Sequence, residues 1–155
     1  MGKEIERKFL VNAEKWKALE KPEPQLYRQG YFTTNPGKSI RIRNSGKKSY
    51  LTIKSEVAEM TRSEFEYEIP NDDALELLDK FCDAELQKHR YIIFHKNKKW
   101  ETDVFLNENQ GLIIAEIELM NPDEYVALPD WVDGEVTGVE KYYNAQLVEK
   151  PFTKW

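Results

Sequence analysis

Glu4, Glu6 and Lys8 occupy alternate positions in the run Glu4-Ile5-Glu6-Arg7-Lys8-Phe9-Leu10-Val11. Successive side chains of an extended strand point to opposite faces, so these three share one face while Ile5, Arg7 and Phe9 share the other. Two carboxylates and an ammonium on one face suit a hard metal ion with an anion beside it. The pattern recurs. Arg41 and Arg43 alternate with Ile40 and Ile42, and Lys54 follows Tyr50 and Thr52 opposite Leu51 and Ile53. Glu64, Glu66 and Glu68 alternate with Phe65, Tyr67 and Ile69. Lys88 and Arg90 share a face, as do Glu101 and Asp103, and Glu116 and Glu118 oppose Ala115, Ile117 and Leu119.

Two arrangements account for such strands. Either the charges face water and the apolar sides meet in a core, or the charged faces turn inward. The sorting into like-sign pairs favours the second, because like charges side by side repel and an ordinary surface intersperses opposite signs. Such pairs become favourable when a ligand of opposite sign lies between them. Carboxylate pairs suit a hard divalent cation. Arginine pairs suit phosphate, whose oxygens match the guanidinium fork. A barrel containing both walls is a polar tunnel with a polyanion on its basic side and Mg2+ or Mn2+ on its acidic side, and phosphoryl transfer needs those parts.

Strands are predicted over 3–11, 25–34, 39–44, 49–55, 63–70, 86–95, 99–106 and 112–120, with turns at Asn35-Pro36-Gly37, Ser45-Gly46-Lys47, Asn97-Lys98 and Asn107 to Gly111 and a loop over 56–61. Asn12 can cap a short helix over 13–20, which ends before Pro22 and Pro24. Asn71-Asp72-Asp73 opens an amphipathic helix to Cys82, with Ala74, Leu75, Leu77, Leu78 and Phe81 as its apolar stripe. Further helices are predicted over 122–128 and 138–149. The expectation is a single domain over 1–155: mainly β (α+β), an eight-stranded antiparallel β-barrel with a charged lumen and a few flanking helices.

The 155 residues suffice for one core. Charged residues make up 33%, above the usual quarter or so, while 40% are hydrophobic, which favours folding over disorder. A net charge of −5 argues against a general nucleic-acid or anionic-membrane surface, though not against a basic pocket for a small anion. With Cys82 as the only cysteine there is no intrachain disulfide; no apolar run reaches membrane-spanning length, and a cytoplasmic location is expected. His89 lies off the charged parity and His95 ends a strand, so a histidine-rich metal site is not expected.

In order along the chain, Glu4-Ile5-Glu6-Arg7-Lys8 resembles the ExExK signature of the CYTH superfamily, the triphosphate tunnel metalloenzymes. Arg28-Gln29-Gly30-Tyr31, Ile40-Arg41-Ile42-Arg43, Leu51-Thr52-Ile53-Lys54 and the Arg62–Ile69 segment resemble its successive strand motifs. So do Lys88-His89-Arg90-Tyr91, the stretch Trp100 to Phe105, Ala115 to Leu119, and Glu135-Val136-Thr137 followed by Lys141-Tyr142 and Leu147. The resemblance implies an eight-stranded tunnel and metal-dependent cleavage of triphosphates. By position it implies metal roles for Glu4, Glu6, Asp103, Glu116 and Glu118, and phosphate-binding roles for Arg41, Arg43, Lys54 and Arg90. It extends a phosphate contact to Lys141, where many relatives carry arginine. It places Lys8 and Lys88 near the scissile phosphate and pairs Lys8 with Tyr31, as in the compact bacterial inorganic triphosphatases; Tyr31 reads equally as a packing aromatic. Glu64, Glu66 and Glu68 read as partners of lumen cations in preference to metal ligands.

The expected activity is hydrolysis of inorganic triphosphate to pyrophosphate and phosphate by a metal-activated water, with Lys88 positioning or deprotonating it. Nucleoside or thiamine triphosphatase and class IV adenylate cyclase are the enzymatic alternatives. A non-catalytic polyphosphate- or nucleotide-binding module needs the cations but not the whole acidic wall. A small-molecule triphosphate is the expected partner, and a homodimer is compatible with the sequence.

Overall fold

The computed structural model describes residues 2–33, 38–56 and 61–155. Its strands are β1 (Gly2–Val11), β2 (Gln25–Thr33), β3 (Lys38–Asn44), β4 (Ser49–Glu56), β5 (Thr61–Ile69), β6 (Glu85–His95), β7 (Lys98–Phe105), β8 (Ile113–Glu118) and β9 (Val132–Glu135). The helices are α1 (Ala13–Ala18), α2 (Asn71–Phe81) and α3 (Asn144–Glu149), with short 3-10 turns at 107–109, 140–142 and 152–154. The expected end of the second strand at Thr34, the turn at 35–37 and most of the loop over 56–61 lie outside the described residues.

The strands form one antiparallel sheet in the order β5-β4-β3-β2-β6-β7-β8-β1-β9, and a further β5–β1 pairing closes the first eight into a barrel. The long strand β1 makes the closure. Glu6–Leu10 pair with β8, Gly2–Ile5 with β5, and Phe9 and Val11 with β9. Just beyond β9, Val136 N–H donates to Lys8 O at 2.8 Å and Lys8 N–H donates to Thr137 Oγ1 at 3.0 Å.

The strands' apolar faces point outward and are covered over much of the barrel, while Ile53, Tyr67 and Phe94 stay exposed. Phe9, Trp100, Ala115 and Ile117 pack with Trp16 of α1 and with Leu119, Val126 and Trp131. Ile42 packs with Ala74, Leu78 and Cys82 in and just after α2. Gly30 permits that approach: a Cβ there would lie 2.8 Å from both the Cys82 side chain and Leu78 Cδ2. Leu75 and Phe81, expected within the buried stripe, are exposed, and Phe81 instead meets Phe32 at 6.1 Å. A third cluster, Leu86, Phe105, Leu112, Ile114 and Leu147, continues the inward-facing parity of the charged rows and carries it into apolar residues beneath α3.

Other departures from the sequence reading are local. Lys96 and Asn97 (φ 51° and 63°) form the two-residue turn between β6 and β7, one residue earlier than expected, with His95 opposite Lys98. No helix forms over 122–128. There Asn121 Oδ1 accepts from Asp123 N–H and Glu124 Oε1 from Met120 N–H, and such side-chain bonds to backbone compete with helix formation. The expected helix over 138–149 is broken by Gly138 (φ 77°) and by the extended backbone of Tyr143, leaving a 3-10 turn and α3. Strand β9, whose Val-Asp-Gly-Glu sequence lacks strand alternation, is an addition to the expected eight.

Candidate active site

Strand alternation inside a closed barrel sends the charged faces into the bore, where they line a cavity of about 210 Å³. The acidic wall is built by register. In the β1–β8 ladder Glu6 lies opposite Glu118 and Lys8 opposite Glu116, and in the β7–β8 ladder Glu101 lies opposite Glu116. Glu4 continues the row along β1. Burial pushes the Glu6 carboxyl up to about 7, with the charges of Glu116 and Glu4 acting in the same direction. Glu118 is also raised, by burial and then by Glu4 and Glu101. Glu4 and Glu116 behave differently. Burial opposes their ionisation, but Lys54 at 3.0 Å from Glu4, and Lys8 and Arg90 each at 3.5 Å from Glu116, hold both below the ordinary carboxylate range.

The basic wall comes from β3, β4 and β6. Arg41, Arg43, Lys54 and Arg90 line the cavity. The buried Nε atoms of Arg41 and Arg43 have no acceptor among the described residues. Burial, with Arg41 and Arg90 nearby, lowers Arg43 to about 10, still fully charged at neutral pH. Glu66 meets Arg41 at 3.8 Å and Arg43 at 3.5 Å, and Glu64 meets Lys54 at 3.4 Å; Glu68 pairs with Lys48 where both are exposed.

Asp103 is 1% exposed and does not border the cavity. Its Oδ1 and Oδ2 accept from Arg90 Nε and Nη2 at 2.8 and 2.9 Å, and Lys88 Nζ lies 2.7 Å from Oδ2. Burial opposes ionisation, yet these two cations hold Asp103 well below the usual carboxylate range. Burial lowers Lys88 to about 7, Arg90 acting with it and Asp103 against it.

Lys8, Tyr31 and Lys88 all border the cavity. Tyr31 Oη accepts from the buried Gln29 Nε2 at 3.0 Å. Lys141 lies elsewhere: it is exposed, 4.4 Å from the Trp155 ring, and does not border the cavity. The structure thus does not bring Lys141 together with the other residues expected to bind phosphate; its ammonium lies against the Trp155 ring.

The sequence reading missed part of the lining. Tyr143, Asn144 and Ala145, where the chain enters α3, line the cavity. Asn144 Oδ1 accepts from Lys88 Nζ at 2.8 Å, and Lys8 Nζ lies 5.2 Å from the Tyr143 ring. Their only sequence signal was their position within the C-terminal motif between Lys141 and Leu147.

The carboxylates fit a hard divalent cation by donor chemistry. Glu6 and Glu118 stand opposite each other; burial raises both carboxyls, helped by Glu116 and Glu4 for Glu6 and by Glu4 and Glu101 for Glu118, and a cation relieves that repulsion. Among the described residues no three carboxylate, imidazole or thiolate groups already converge on one point; Glu4 and Glu116 are engaged by lumen cations.

Residues 2–143 match the CYTH domain. An inorganic triphosphatase of Acetivibrio thermocellus is 44% identical over 153 residues, covering 98% of this chain and 97% of that one. The crystal structure of another inorganic triphosphatase superposes with a TM-score of 0.65 at 29% identity, covering 96% of this chain and 95% of the other. A protein of Pyrococcus horikoshii shares the fold at 24% identity, with a TM-score of 0.59 over 77% of this chain and 81% of that one.

Proposed function

The chain belongs to the CYTH family, and from that premise we propose that it is an inorganic triphosphatase, a hydrolase that cleaves tripolyphosphate to pyrophosphate and phosphate. One observation carries the reading. A single cavity has a wall of cations, in which Arg41 and Arg43 keep buried donors without acceptors, facing a wall of carboxylates that repel one another. A polyanion satisfies the first wall and a divalent cation the second.

In this mechanism Arg41, Arg43, Lys54 and Arg90 grip the phosphate oxygens and neutralise charge that grows as the bridging bond breaks. Glu4, Glu6, Glu116 and Glu118 would hold Mg2+ or Mn2+. When bound, that ion supplies charge neutralisation and lowers the pKa of bound water. Lys88, with its pKa near 7, takes the proton of the attacking water. The water oxygen bonds to a terminal phosphorus, the bridging P–O bond breaks, and pyrophosphate leaves. We assign Asp103 to positioning in place of the metal role expected from sequence: both its oxygens are engaged by Arg90 and Lys88, the two groups it must orient. Lys8, beside Glu116 and Tyr143, supplies a further positive charge near the reacting phosphate.

Phosphate release from tripolyphosphate, ATP and thiamine triphosphate, with and without Mg2+, Mn2+ and Ca2+, tests the proposal. Tripolyphosphate is expected to have a kcat/KM at least about tenfold above ATP, or about 1.4 kcal/mol, because most of the described residues that line the cavity are charged groups suited to phosphate or metal. Mg2+ or Mn2+ supports turnover, and Ca2+, with longer and looser coordination, supports it poorly. Preference for ATP, or release of cyclic AMP, moves the protein to the nucleotide alternatives. Tight binding without turnover in any metal makes it a binding module.

A further inference from the structure

Tyr27 does not border the central cavity, yet it touches two of the cations that do. Its ring centroid lies 5.1 Å from the Arg43 guanidinium carbon and 4.8 Å from that of Arg90. Strand β2, which carries Tyr27, lies between β3, which carries Arg43, and β6, which carries Arg90. The ring is thus met by an arginine from the neighbouring strand on each side. It lines two further recesses, one with Arg43 and the other with Arg90, and both of those arginines also border the central cavity.

The two arginines differ in what else holds them. Arg90 is fixed by paired bonds to Asp103 at 2.8 and 2.9 Å, with Glu101 and Glu116 at 3.3 and 3.5 Å. Arg43 has Glu66 at 3.5 Å, a carboxylate whose side chain is 33% exposed, and its buried Nε has no acceptor among the described residues. Among the described residues its other contacts are aromatic: Tyr27, and Tyr50 at 5.9 Å. Two guanidiniums in one bore repel, and an aromatic face attracts both.

We propose that Tyr27 is a positioning residue for phosphate binding: its ring carries the fixed orientation of Arg90 across to the loosely held Arg43 and keeps that guanidinium turned toward the substrate. The inference rests on the triphosphatase reading above. It assigns Tyr27 no contact with substrate and no part in proton transfer, so its removal affects binding much more than turnover.

The test uses Tyr27→Leu, Tyr27→Met, Tyr27→Phe, Arg43→Ala and Tyr27→Leu/Arg43→Ala, assayed with tripolyphosphate and Mg2+. Both ring-less variants are expected to raise KM about fivefold or more with kcat within about twofold, and Tyr27→Phe to restore KM to within about twofold of wild type. The double variant should match Arg43→Ala, since a residue acting through Arg43 has nothing left to position. With a chelator present, the rise in melting temperature on adding tripolyphosphate should shrink in both ring-less variants and return in Tyr27→Phe. An unmoved KM in a folded ring-less variant, or losses that multiply in the double variant, overturns the role of Tyr27 while leaving the triphosphatase reading intact. A wild-type protein that neither binds nor hydrolyses tripolyphosphate overturns both.

Discussion

Glu6 and Glu118 stand directly opposite each other in the β1–β8 ladder, two carboxylates on the inner face of a closed barrel. Burial makes ionising Glu6 costly, the charges of Glu116 and Glu4 add to that cost, and like charges directly opposed across a ladder destabilise a sheet. Glu6→Gln is therefore expected to raise the melting temperature of the metal-free protein at neutral pH. The same substitution removes a proposed metal donor and should lower Mg2+-dependent kcat/KM by at least about 100-fold. A less stable metal-free variant, or one with near-wild-type turnover, contradicts the assignment.

Asp103 gives the opposite expectation, although it too is an inward-facing carboxylate. Removing its charge leaves Lys88 and Arg90 buried beside each other without their shared partner. Breaking a buried ion pair from one side costs about 3–5 kcal/mol. Chemical unfolding of Asp103→Asn should show a loss of that size, and a variant as stable as wild type removes Asp103 from its structural role.

Gly30 is held to its size by packing. A Cβ at this position meets the Cys82 side chain and Leu78 Cδ2 at 2.8 Å, so α2 must move away from β2. Gly30→Ala should cost about 1–3 kcal/mol in urea unfolding, the range for overpacking. Cys82→Ala in the same background should recover part of the loss. A neutral Gly30→Ala would mean that α2 shifts freely on the barrel.

Acid sensitivity follows from Arg28 and Glu85, which form two 2.7 Å hydrogen bonds on the barrel exterior. Those bonds, with one from Gln87, lower the Glu85 pKa below its ordinary value of 4.5. A carboxylate whose pKa is lowered by folding stabilises the protein above its unfolded pKa, and that contribution fades as pH falls through the folded value. Glu85→Gln should thus be about 1 kcal/mol less stable than wild type at pH 7, with the difference closing below about pH 4. A gap that persists unchanged at pH 3 is incompatible with this pair as its source.

The sequence by itself determined which side chains share a face. Strand alternation has a period of two, so Glu4, Glu6 and Lys8, or Arg41 and Arg43, must lie together wherever those strands go. The like-sign sorting then pointed to an inward ligand-binding face, and the ordered motifs pointed to the barrel. Only the tertiary structure decided which of these similar charges repel and which pair, because that depends on the partner strand and its register. Glu6 is registered opposite Glu118, whereas Asp103 pairs with Lys88 and Arg90. Closure through β1 and β5 put the charged faces inside, and α3 brought Asn144 to Lys88 across 56 positions of sequence. The break at Tyr143, the added strand β9 and the outward placement of Lys141 were likewise settled by packing at the end of the chain, where local sequence periodicity is weak and contacts with distant residues choose the conformation.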